Sequence, residues 1–133
     1  MASDHDLIPA LLAAQSKGDW DAMFAVMHED GVFELPFLKQ RFEGRAEIEQ
    51  RMAPSIDRMI GLTFSDIEVR DMAEPGWMIA HFKGNATVRP TGRPYRQTYV
   101  GIFRVVDGKI ALFQEYFDTL ELAIACARVE PVA

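Results

Sequence analysis

The feature that most restricts the fold is a pair of strand-length runs, Tyr95 to Val106 and Gly108 to Asp118, joined at Asp107-Gly108. Both alternate as β-strands do, yet neither has a cleanly polar side. In the first, Tyr99, Gly101 and Phe103 share one face, and Val100 and Ile102 the other. In the second, Ala111, Phe113, Glu115 and Phe117 lie opposite Ile110, Leu112, Gln114 and Tyr116. An antiparallel sheet with helices on one face is usually polar on its other face, because water covers that side. Strands apolar on both faces need helices beneath and a further cover above. The chain has too few helical segments for two layers, so the outer sheet face is expected to pack against a second copy in a homodimer.

The connection between the runs allows two registers. A two-residue Asp-Gly loop pairs Val106 with Lys109 and places Val100 opposite Glu115. A three-residue loop with Gly108 in the left-handed position pairs Val105 with Lys109 and places Tyr99 opposite Glu115 and Gly101 opposite Phe113. Side chains repeat every second residue, so the choice decides which set of neighbours Glu115 meets.

Upstream, periodicity switches to that of helices. A first helix is expected over Leu7 to Ser16, with Asp6 as N-cap and Pro9 in the tolerant first turns. Asp19 caps a second, whose Trp20, Met23, Phe24 and Met27 follow i, i+3, i+4, i+7 spacing and read as core. A strand over Val32 to Phe37 puts Phe33, Leu35 and Phe37 on one side. A third helix runs through Ile48, Met52, Ile56 and Met59 to a cap at Gly61, with a kink at Pro54. Leu62 to Met72 alternates out of phase, which predicts a bulge. Trp77 to Val88 follows the Glu74-Pro75-Gly76 turn, and a short helix over Leu120 to Ala127 ends the chain. The order α-α-β-α-β-β-β-β describes an α+β domain with helices on one face of a mainly antiparallel sheet. At 133 residues and 49% hydrophobic, without repeats or linkers, residues 1–133 form one domain.

Charge excludes some functions. A net charge of −6 with isolated Lys and Arg residues argues against a nucleic-acid partner. No apolar run of about 18 residues occurs, so no membrane span is expected. The acidic start, MASDHDLIPALLAAQ, lacks the basic region of a signal peptide and points to the cytoplasm. Cys126 is the single cysteine, in the apolar A-I-A-C-A segment, and reads as a buried thiol.

Among chemistry-bearing residues Glu115 stands out, because Phe113 and Phe117 flank it on its own face. Burial there disfavours the charged form and raises the carboxyl pKa, which suits a general acid or base near neutrality. The competing reading is an edge glutamate satisfied by an arginine across the strand. Tyr99 is placed to hydrogen-bond the carboxyl or a ligand oxygen, and Gln97 follows on the same face near the mouth. Asp118 reads as the cap of the last helix. His5, His28 and His81 show no ligand spacing, so neither a metal nor a cofactor is expected. No nucleophile elbow, dinucleotide fingerprint or P-loop is present.

The two short helices, H-E-D-G-V-F-E-L-P, F-E-G-R-A-E-I and G-I-F-R-V-V-D-G-K-I-A-L-F-Q-E-Y-F-D together resemble the nuclear transport factor 2-like superfamily, and SnoaL-like proteins in particular. The resemblance covers nearly the whole chain. It implies a cone-shaped α+β barrel, a curved sheet wrapped around helices to leave one apolar pocket, and pairing through the convex sheet face. Ketosteroid isomerases carry a base and two oxyanion-stabilising residues at positions that here are Leu35, Leu11 and Gly101, so that machinery is missing. Limonene-epoxide-hydrolase-like enzymes have an acid where Glu115 stands, but Phe82 and Gly84 occupy their Arg and second Asp positions. PhzA/PhzB-like proteins match locally at Gly108, Lys109, Ile110, Glu115 and Tyr116. Their pocket glutamate, a proton donor, corresponds to Glu115, whereas the histidine they also use has no counterpart between Arg45 and Ile60. This likeness favours the register that turns Glu115 and Tyr99 inward.

The expected protein is thus a cofactor-independent, metal-free enzyme acting on a small apolar cyclic or aromatic metabolite. Glu115 would move the proton, with Tyr99 assisting. The expected pocket is lined by Phe33, Leu35, Phe37, Met52, Ile56, Met59, Phe82, Gln97, Phe103, Phe113 and Phe117. The alternative is a non-catalytic binding or scaffolding member of the same superfamily.

Overall fold

A computed structural model describes residues 3–130. The chain forms α1 (Asp4–Lys17), α2 (Trp20–Val26), β1 (Met27–Leu35), a 3-10 turn (Pro36–Leu38), β2 (Gln40–Glu43), α3 (Arg45–Asp57), β3 (Met59–Asp71), β4 (Trp77–Val88), β5 (Pro94–Val106), β6 (Lys109–Phe117) and α4 (Thr119–Ala125). The strands make one six-stranded sheet in the order β2-β1-β6-β5-β4-β3. Every neighbouring pair is antiparallel except β1 and β6. The α+β class and the mainly antiparallel sheet are as expected from the sequence.

Several boundaries differ, each for a local reason. Helix α1 starts at Asp4 with Ser3 as its N-cap, and Asp6 sits one turn in, where its carboxylate accepts from the Ser3 backbone N–H at 3.2 Å. An acid three residues past the cap satisfies a free donor as well as a cap would. Asp19 caps α2 as read, accepting from Ala22 N–H at 3.1 Å. β1 begins at Met27 and stops at Leu35, because Pro36 starts the 3-10 turn that carries Phe37 away from the strand face. Strand β2 was not foreseen: Q-R-F-E is short and charged, as suits an edge strand, and too brief to alternate visibly. Helix α3 continues through Pro54 but ends at Asp57, so Met59 belongs to β3 rather than to the helix. Gly61 is not a helix cap; it lies within β3 at φ 66°. The expected bulging of this strand is present, with register shifts between Ile60 and Thr63 and between Ser65 and Glu68.

The β5–β6 hairpin follows the two-residue option at its loop and departs from both options beyond it. Val106 pairs with Lys109 across a two-residue loop in which Asp107 and Gly108 both have positive φ, at 51° and 75°. Such a loop suits the twist of paired strands. The register then shifts by one, pairing Val105 with Ile110 but Arg104 with Leu112, so Ala111 is the extra residue of a bulge. From there Phe103 faces Phe113, Gly101 faces Glu115 and Tyr99 faces Phe117. The pairing of Tyr99 with Glu115 is therefore corrected to Gly101 with Glu115. The bulge nevertheless leaves both side chains on the inner face.

Helix α1 fills the concave side with Ile8, Leu11 and Leu12, all fully buried. Phe33, Phe103 and Phe113 close the core beneath it: Phe103 and Phe113 stack at 4.4 Å, and Phe33 meets Phe113 edge-on at 5.0 Å. Each ring so buried contributes roughly 1.5–3 kcal/mol of transfer free energy. Among the described residues no helix is long and apolar enough to cross a membrane.

Candidate active site

Between α1, α3 and the inner sheet face the packing stops short, leaving a cavity of about 150 Å³. Glu115 reaches it from β6, with only 6% of its surface exposed. Among the described residues no arginine meets the carboxylate. Its protein partner is Gln15 of α1, whose Nε2 donates to Oε2 at a long 3.5 Å. Loss of water dominates over that weak bond and pushes the carboxyl up to about 7. An acid with that pKa holds or releases a proton near neutrality without an ionic partner.

Gln15 was not foreseen, although a signal existed. It lies four residues after Leu11 on the buried stripe of α1, and a polar side chain there needs a reason. It is 4% exposed, and its Oε1 has no hydrogen-bond partner among the described residues.

Tyrosines make the second polar element. Tyr99 is stacked on Phe82 at 4.9 Å and flanked edge-on by Phe64 at 5.6 Å. The ring lies over β4 because Gly84 has no side chain: a Cβ there would stand 2.7 Å from Tyr99 Cε2. Likewise, a Cβ on Gly101 would come within 2.6 Å of the Phe103 ring. At both positions the missing side chain leaves space that an aromatic ring occupies. The hydroxyls of Tyr95 and Tyr99 lie 3.0 Å apart, and both residues line the cavity. Burial raises the pKa of both phenols, Tyr95 to about 12.

Of the residues expected at the pocket, Phe33, Leu35, Met52, Ile56, Met59 and Phe117 line the cavity together with Glu115 and Tyr99. Four others lie behind that wall. Phe82 backs Tyr99, Phe103 and Phe113 stack on each other in the core, and Gln97 ties β5 to the start of α4. Phe37 is the clearest displacement: it is 62% exposed and packs edge-on against Tyr116, because Pro36 ends the strand. Lining residues that the strand and helix patterns did not single out include Phe42 on the unforeseen β2, Phe64 on the bulged β3, and Arg51 on α3. Arg51 lies over the Phe42 ring at 5.1 Å.

The remaining candidates are structural. Asp118 caps α4, accepting from Leu120 N–H at 3.0 Å and Glu121 N–H at 3.2 Å. His28 Nε2 bonds the Val106 carbonyl at 2.8 Å, and His5 pairs with Asp71 at 2.8 Å. Among the described residues no three His, Cys, Asp or Glu side chains are gathered as a metal centre would require. Cys126 is half-buried.

Comparison with known proteins agrees with this architecture. An uncharacterized PhzA/B-like protein of Pseudomonas aeruginosa is 29% identical over 120 residues, covering 87% of this chain and 84% of that protein. The crystal structure of a proposed isomerase from Bacillus subtilis superposes with a TM-score of 0.84 at 26% identity, covering 93% of this chain and 92% of the other. That of a proposed polyketide cyclase from Xanthomonas campestris pv. campestris gives 0.80 at 25% identity, covering 92% and 95%. The model of the SnoaL-like domain matches residues 8–113, and the chain belongs to that family.

Proposed function

We propose that this protein is a cofactor-independent enzyme that moves a proton on a small apolar cyclic or aromatic metabolite, with Glu115 as acid–base and Tyr99 assisting. The reaction is an isomerisation, cyclisation, dehydration or epoxide opening. The observation that carries this reading is a lone carboxyl, 6% exposed, set in an apolar cavity and raised to about 7. A general base or acid works best when its pKa lies near the working pH, and burial achieves that here. The cavity, at about 150 Å³, has room for one six-membered ring. The likeness to a proposed isomerase and a proposed polyketide cyclase supports the same class of chemistry.

Replacing Glu115 with Gln keeps the size and a polar head but removes the ionisable carboxyl. Against one-ring enones, epoxides and cyclic alcohols, Glu115→Gln is expected to lower kcat by about 10²–10⁴-fold on whichever compound the parent converts. Unchanged turnover would sink the acid–base role.

One observation favours a second reading, a binding member without turnover: among the described residues the Glu115 carboxyl is hydrogen-bonded by Gln15 alone, with no histidine or charged partner. In that case compounds bind saturably and none is converted. We further propose that two copies pair through the outer sheet face, where Ile79, Val100, Ile102, Leu112 and Tyr116 are half-buried rather than polar.

A further inference from the structure

The polar network beside the cavity begins at Gln97, and the direction of its hydrogen bonds there can be read from its backbone partners. Gln97 is 2% exposed. One end of its amide accepts from the backbone N–H groups of Asp118 at 2.8 Å and Thr98 at 3.0 Å. Backbone N–H groups only donate, so that end is the oxygen and the amide cannot be turned round. Nε2 is therefore the atom 2.9 Å from the Asp118 carbonyl and 3.2 Å from the Tyr95 hydroxyl, and it donates to both.

The Tyr95 oxygen is thus an acceptor towards Gln97. Tyr95 and Tyr99 share one hydrogen bond, at 3.0 Å, which uses one of their two hydroxyl protons. When Tyr95 donates to Tyr99, the Tyr95 hydroxyl both accepts and donates, and such head-to-tail chains strengthen themselves. The Tyr99 proton is then left without a protein acceptor among the described residues. Burial keeps both phenols protonated at neutral pH, so this side of the cavity donates and does not act as a base.

We propose that Gln97, Tyr95 and Tyr99 form a directed donor chain whose last O–H binds an acceptor oxygen on the ligand, so that the cavity selects one-ring compounds bearing a carbonyl. This rests on the reading of the cavity as a site for a small cyclic metabolite and adds the group by which that metabolite is recognised. Tyr99 touches the ligand; Tyr95 and Gln97 are positioning residues.

Two isosteric probes test it: cyclohexanone, and methylenecyclohexane, in which =CH2 replaces the carbonyl oxygen. Tyr99→Phe is expected to weaken cyclohexanone about fivefold, one neutral hydrogen bond, and to leave methylenecyclohexane within about twofold. Tyr95→Phe keeps the terminal donor but loses its polarisation, and is expected to fall between parent and Tyr99→Phe. In the unmutated protein, the carbonyl stretch of bound cyclohexanone should lie below its position in hexane and return towards it in Tyr99→Phe. Equal weakening of both probes, a hexane-like stretch in the parent, or no saturable binding of either probe would overturn the proposal. Glu115 is intact in these variants. Loss of the carbonyl preference is therefore distinguishable from failure of the acid–base role, which Glu115→Gln turnover reports.

Discussion

The acid–base role proposed for Glu115 carries a structural effect with it. Unfolded, its carboxyl releases a proton near the ordinary value of 4.5; folded, it holds that proton up to about pH 7. Between those values the folded state binds more protons than the unfolded state, so stability falls as pH rises. Above pH 7 the full cost is present, on the order of 3 kcal/mol. Glu115→Gln should therefore match the parent near pH 4 and exceed it by roughly 2–3 kcal/mol at pH 8, measured by urea unfolding. Equal stabilities at both pH values would mean that the carboxyl is not desolvated as described. Its inward position also shows where reading by residue type succeeded: a carboxylate between two phenylalanines on one strand face is legible as a buried acid. Gln15, whose partner is 100 positions away, is not. A glutamine on a helix stripe shows only that something polar must meet it.

At the scale of elements, one inserted residue and one missing side chain place the groups. Without the bulge at Ala111, the two-residue hairpin would have set Val100 opposite Glu115 and turned the acid outward. Bulges are poorly visible in sequence because an extra residue only shifts the phase of an alternation, and β6 is apolar in both phases. Gly84 is the counterpart on β4. With Phe82 stacked on one face of Tyr99 and Phe64 at its edge, the ring has little room to retreat from a new methyl. Gly84→Ala is expected to destabilise by about 1–3 kcal/mol, the usual cost of overpacking. It should also part the two tyrosine hydroxyls, so cyclohexanone affinity falls together with stability. A neutral effect on both would mean that the ring moves aside freely.

For the whole molecule, the sheet is covered by helices on its concave face, while the other face carries half-buried aliphatic side chains across β4, β5 and β6. The proposed pairing of two copies there would remove that surface from water, at roughly 25 cal/mol for each Å² of apolar area buried. Sedimentation at micromolar concentration should give a dimer, and Ile102→Glu should give a monomer with unchanged far-UV circular dichroism. A parent that sediments as a monomer would remove the dimer. The exposed Phe37, 62% accessible and packed on Tyr116, stands beside the β6 end of that face. Its substitution by Ser is a milder version of the same test.

The amino-acid sequence by itself determined the helix–strand order apart from β2, the α+β class and the two-sided apolar strands, because these follow from periodicity and composition over short spans. It also made Glu115 the leading acid, since its neighbours on the strand face are adjacent in the chain. Tertiary structure alone decided the β5–β6 register, strand β2, and the meetings of Gln15 with Glu115 and of Gln97 with Asp118. Those depend on a one-residue phase shift, on an edge too short to show a pattern, and on contacts between residues far apart in the chain. Local preference constrains none of these, and packing settles them.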